Sequence, residues 1–94
     1  MRQISFQQKV SVAPDTLINK IGDEAVLLNL KNECYYGLDS VGASMWTALT
    51  AGGTIEDAFN SLMAEYEVDG ETLRRDLTGL VEKLIDQELI EISD

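Results

Sequence analysis

The chain has 94 residues, 45% of them hydrophobic and 26% charged, which suits one domain with one small core. Seventeen acids against seven bases give a formal charge of −10, which disfavours a phosphate backbone as partner. Histidine is absent, so the commonest base at neutral pH and the commonest metal ligand are both missing.

Residues 1–9 are mixed and polar, and are expected to be flexible. A short alternation follows at Val10-Ser11-Val12, and Pro14-Asp15 ends it. Three strand-like runs come next. Leu17 to Ile21 is the first, with Gly22-Asp23-Glu24 as its turn. Ala25 to Leu30 is the second, with Val26, Leu28 and Leu30 on one face. Lys31-Asn32-Glu33 turns the chain into the third, Cys34-Tyr35-Tyr36-Gly37-Leu38, whose aromatic residues favour a strand. Connections this short join antiparallel neighbours, so the three runs predict a meander whose last strand lies at an edge.

The hydrophobic period then changes from two to about 3.6 residues. Asp39 or Ser40 can cap a helix from Val41 to about Ala51, and Gly52-Gly53 stops it. Thr54 caps a second helix. Three residues on stands Asp57, shorter than the usual Glu or Gln, so the reciprocal capping bond is not expected. Ile55, Ala58, Phe59, Leu62, Met63 and Tyr66 recur at helical spacing. Asp69 can cap a third helix from Gly70 to about Glu88, striped by Leu73, Leu77, Leu80, Val81 and Leu84. Leu89 to Ile92 reads as a short extended tail. The pattern predicts one α+β domain over residues 1–94. Its plan is winged helix-turn-helix-like, a three-stranded antiparallel sheet followed by three helices.

Little in the chain points to bond chemistry. Cys34 has no imidazole to activate it and no second thiol to share a metal or a disulfide. The carboxylates are scattered along helix faces rather than paired in one cleft. Asp69 and Glu71 flank Gly70, but the calcium-loop spacing continues in neither direction. Gly52-Gly53 lacks the following Lys-Ser or Lys-Thr of a phosphate-binding loop. No enzymatic activity, metal or cofactor is therefore expected. No apolar run is long enough to span a membrane, and the first residues lack the apolar stretch of a signal peptide. The protein is read as cytoplasmic, with neither nucleic acid nor membrane as partner.

A winged-helix plan often binds DNA through its last helix. Here that helix carries Arg74, Arg75 and Lys83 against Glu71, Asp76, Glu82, Asp86 and Glu88, which is net negative. A DNA-binding regulator or another protein-interaction module is the alternative. The free margin of the third strand offers more. Unpaired N–H and C=O groups along an edge can take up an extended peptide as an added strand. The neighbouring third helix can supply side-chain contacts. The competing arrangement has the N-terminal segment cover that edge through Val10 and Val12. An open edge can also pair with a second copy of the chain.

Several stretches, taken in order, resemble the PqqD-like family. They are Val26 to Leu30, Tyr35-Tyr36-Gly37-Leu38-Asp39-Ser40-Val41-Gly42-Ala43-Ser44-Met45-Trp46, Gly53 to Asp57, Tyr66 to Asp69, Asp76-Leu77 through Leu80 and Leu84, and Leu89-Ile90-Glu91. The resemblance covers about residues 10 to 92. It implies a recognition element for ribosomally made, modified peptides, as in lasso-peptide and pyrroloquinoline quinone biosynthesis. Such an element binds the leader of a precursor peptide and presents it to a leader peptidase or other modifying enzyme. It further implies that the leader adds as an antiparallel strand along Cys34, Tyr35, Tyr36 and Gly37. Leu73, Asp76, Leu77 and Leu80 would form the helix wall. Arg74 or Arg75 would hold leader carboxylates, and Asp76 a leader cation.

Overall fold

The protein is described by a computed structural model over residues 4–93. Five strands and three helices follow in the order β1 (Lys9–Val12), β2 (Thr16–Ile21), β3 (Glu24–Asn29), β4 (Cys34–Leu38), α1 (Ser40–Leu49), α2 (Ile55–Glu65), α3 (Gly70–Asp86) and β5 (Ile90–Ser93). The expected α+β, winged helix-turn-helix-like meander is present as an antiparallel sheet in the order β2-β3-β4. A second, two-stranded sheet pairs β1 with β5, Val10 opposite Ile92 and Val12 opposite Ile90.

Two features of the meander fix its register. Gly22 and Asp23 make a two-residue turn, with Gly22 at a φ of 65° that a side chain would disfavour. The pairing of Leu28 with both Leu17 and Tyr35 then puts these three residues on one face. Ala25, Leu27 and Asn29 face the helices and are buried. Val26 and Leu28 share the opposite face, as the alternation predicts, and that face is the outer one.

The helices close the inner face through Trp46 and Leu49 from α1, Ile55 and Leu62 from α2, and Leu77, Val81 and Leu84 from α3. Their starts are capped by the expected residues. The Asp39 carboxylate accepts from Gly42 N at 2.8 Å, and Asp69 from Thr72 N at 3.1 Å. At α2 the reciprocal capping bond forms after all, with Thr54 N donating to Asp57 Oδ2 at 3.0 Å. Glycine makes this geometry accessible. A Cβ at Gly53 would lie 2.6 Å from Asp57 Oδ2, so the short acid reaches back only because residue 53 has no side chain.

The N-terminal segment departs from expectation. Phe6 O accepts from Glu56 N at 2.8 Å, and Gln8 O accepts from Ile55 N at 2.9 Å. The first N–H groups of a helix have no partner inside the helix, and these carbonyls supply one. Residues 4–9 are thereby tied to the start of α2, where a flexible segment was expected.

The end of α3 turns the chain back for β5. Leu89 N donates to Leu84 O and Glu88 N to Ile85 O, both at 2.9 Å, and Glu88 takes a φ of 58°. This is a Schellman cap with glutamate in the place that glycine usually fills. Beside it lies Asn29, the only buried polar residue among the described residues. Its Nδ2 donates to Gln87 O at 3.0 Å and Glu88 O at 3.2 Å, and its Oδ1 accepts from Lys31 N at 2.9 Å. One side chain therefore ties the sheet to the last turn of α3.

Two outcomes are expected in urea unfolding. Asn29→Ala leaves two carbonyls and one amide short of a partner and should cost about 2–3 kcal/mol. Glu88→Gly relieves the left-handed backbone and should add about 0.5–1 kcal/mol.

Candidate functional site

Among the described residues, β4 pairs with β3 alone, and its other edge has no strand beside it. The N-terminal segment does not cover it, because β1 is spent on β5. Which main-chain groups point outward follows from the turn. A two-residue hairpin closes on a hydrogen-bonded pair, here Ile21 with Glu24. Bonded pairs then alternate along the ladder, and the bond from Leu30 N to Asp15 O at 2.8 Å keeps that phase. Residues 24, 26 and 28 thus bond β2, and residues 25, 27 and 29 bond β4. On β4 the bonds to β3 use Cys34, Tyr36 and Leu38. The N–H and C=O groups of Tyr35 and Gly37 face the free edge.

The side chains of this strand divide accordingly. Tyr35 stands on the outer face and is 75% exposed. Tyr36 points inward and packs partly against the core. Cys34 is exposed, as is Gly37.

α3 packs on the inner side of the sheet and runs opposite to β4. Its first half meets the start of α1, where Val41, Met45, Leu73 and Asp76 line one cavity of about 230 Å³. Its last turn meets Asn29, which lies opposite Cys34. Asp76, Leu80 and Lys83 recur at i, i+4 and i+7 and share one side of the helix. Asp76 and Lys83 are exposed, and Leu80 is half-buried against the core.

The residues named from sequence fall into three groups. Cys34, Tyr35, Tyr36 and Gly37 form the free-edged strand, Asp76 and Leu80 share one side of α3, and Leu73 and Asp76 line the cavity. Leu77 has no exposed surface and belongs to the core. Arg74 lies on another side of α3. Its guanidinium sits 4.4 Å from the Phe59 ring centroid and 4.5 Å from that of Phe6, and 3.5 Å from Glu56 Oε1. It clamps the N-terminal segment onto α2 and α3, which is a different task from holding a leader carboxylate. Arg75 is exposed two positions before Leu77.

The sequence pattern assigns Lys83, Glu67, Val41 and Met45 no peptide-binding role. Helical spacing from Asp76 and Leu80 points to Lys83. The cavity residues come from three separate elements, and only folding brings them together. Among the described residues no group of acids or cysteine is arranged to hold a metal ion. No helix there is long and apolar enough to cross a membrane.

Residues 24–90 match the family model described as coenzyme PQQ synthesis protein D (PqqD). The chain belongs to the PqqD family. A similar solved structure is TbiB1 in complex with the TbiA(beta) leader peptide. It is 37% identical, with a TM-score of 0.81, over 86% of this chain and 94% of that one. Another is a lasso peptide synthetase B1 complexed with the leader peptide. It is 24% identical, with a TM-score of 0.79, over 88% of this chain and 98% of that one, and it shares the fold. No curated protein sequence matches the chain.

The position of Arg74 gives a separable expectation. Arg74→Ala should lower stability by about 0.5–1.5 kcal/mol through lost ring stacking. It should leave peptide affinity unchanged when both are measured on the same preparation.

Proposed function

We propose that this protein is a non-catalytic adaptor that binds the leader of a ribosomally made precursor peptide by strand addition to β4. The observation that carries this reading is the unpaired outer edge of β4 beside the exposed side of α3. The leader-bound state of the 37% identical TbiB1 supports it, because the two chains superimpose over most of their length. A lasso-type precursor is favoured over a pyrroloquinoline quinone type, since TbiB1 and the lasso peptide synthetase B1 are both described with leader peptides.

Main-chain bonds to Tyr35 and Gly37 supply affinity that asks little of the leader's sequence. Leader side chains pointing inward meet Leu80 and Asp76, and the cavity beyond Leu73 receives a longer one. The adaptor breaks no bond. It holds a flexible substrate so that the rest of the peptide meets a leader peptidase or other modifying enzyme at raised effective concentration. The enzyme must then dock on a face other than the groove. The strongly acidic surface favours a basic patch on that partner.

The experiment is titration of a labelled leader, taken from the precursor encoded beside this gene. Affinity should be micromolar or tighter, about −8 kcal/mol or better. Tyr35→Pro removes an outward N–H and should weaken binding at least tenfold while circular dichroism stays native. Tyr36→Pro removes an inward N–H and should unfold the sheet instead. Native circular dichroism together with undiminished binding by Tyr35→Pro would refute strand addition.

A further inference from the structure

The two ends of the groove differ in charge. At the Leu38 end, Glu67 and Asp76 stand at the mouth of the 230 Å³ cavity, whose other walls are Val41, Met45, Leu62, Tyr66, Val68 and Leu73. Asp39 follows β4 at the same end, but its carboxylate is engaged by Gly42 N. Among the described residues neither Glu67 nor Asp76 has an ion-pair partner. An apolar cavity rimmed by two free carboxylates suits a long side chain with an aliphatic stem and a cationic head.

Lys83 lies seven residues further along the same side of α3, about 10 Å away at the helical rise. It is one of only seven basic residues in a chain of charge −10. It too has no ion-pair partner among the described residues. A cation also suits the last turn of a helix, so the position alone does not decide its role. Glu33 and Glu88 make the Cys34 end mixed in sign; at the Leu38 end Lys20 stands two strands in from the edge, opposite Ala25, and Arg75 precedes Asp76, but neither lines the cavity that Glu67 and Asp76 rim.

Direction follows from the ladder. The sheet is antiparallel throughout, and antiparallel pairs are slightly the more stable per residue. A strand added antiparallel to β4 runs along α3 in the same sense as the helix. Its N-terminal part meets Asp76 and its C-terminal part meets Lys83. At about 3.3 Å per strand residue, the two sites are roughly three residues apart, so inward-facing positions two or four apart reach both.

Resting on the leader-binding reading, we propose that the groove selects a charge order. The bound peptide carries Lys or Arg toward its N-terminus, seated between Glu67 and Asp76. It carries Asp or Glu two or four residues later, against Lys83. The reversed order places like charges together at both ends. The order thereby fixes strand direction, and the rest of the precursor leaves the groove at the Cys34 end.

The test uses two short synthetic peptides on one Val/Thr/Tyr framework, one with Lys first and Glu four residues later, the other with these two exchanged. Binding is read by fluorescence anisotropy and by shifts of the Tyr35 and Gly37 amides. The Lys-first peptide should bind about tenfold more tightly at low ionic strength, and added salt should shrink the ratio. The double variant Asp76→Lys with Lys83→Glu should reverse the preference. Both positions are exposed, and circular dichroism checks that the fold is kept. Equal affinities for the two peptides, with Tyr35 and Gly37 shifting in both, would overturn the charge order and leave the groove intact. Failure of both peptides to shift those amides would overturn the charge order and the groove reading together.

Discussion

The structure depends on a ladder that stops one strand short. Tyr35 and Gly37 turn their main-chain groups away from β3, and no strand among the described residues meets them. An open edge is normally a hazard, since any extended chain can pair with it. Here it is short, five residues, and is flanked by a helix on its inner side. Both features restrict what can pair there. An added strand must fit beside α3 as well as complete the ladder.

The position of α3 is therefore as important as the edge itself. Three restraints hold it. The stripe of Leu77, Val81 and Leu84 is sealed in the core. Asn29 ties the last turn to the sheet through two bonds. The Schellman cap at Glu88 sends β5 across to β1. That last pairing occupies the one segment positioned by sequence to cover the edge. The second sheet thus keeps the first one incomplete.

The division of labour between backbone and side chains suits an adaptor. Main-chain pairing accepts many sequences, and side-chain contacts are what can discriminate among them. The N-terminal segment serves stability instead. Phe6 and Gln8 give their carbonyls to the start of α2, and Arg74 stacks between Phe6 and Phe59. Arg74, which the resemblance offers for a leader carboxylate, stacks on Phe6 of the N-terminal segment.

Sequence alone determined the meander, the three helices and most of their caps, because these depend on local periodicity and on residues such as Asp39, Thr54, Asp69 and Gly22. It also placed the third strand at the margin of the meander, while only the pairing of β1 with β5 decided that Val10 and Val12 do not cover that margin. Tertiary structure decided the rest. The partner of β1 lies some eighty residues away in the chain, at β5, and no local pattern records such a pairing. α3 ends at Asp86, two residues before the Glu88 that the periodicity suggests, because glutamate, not glycine, adopts the left-handed cap. Which face of α3 each charge occupies depended on what packed against it. Arg74 stacks on two rings from separate elements, whereas Asp76, two positions on, is exposed. Local sequence sets what a segment can form, and only long-range packing sets what it touches.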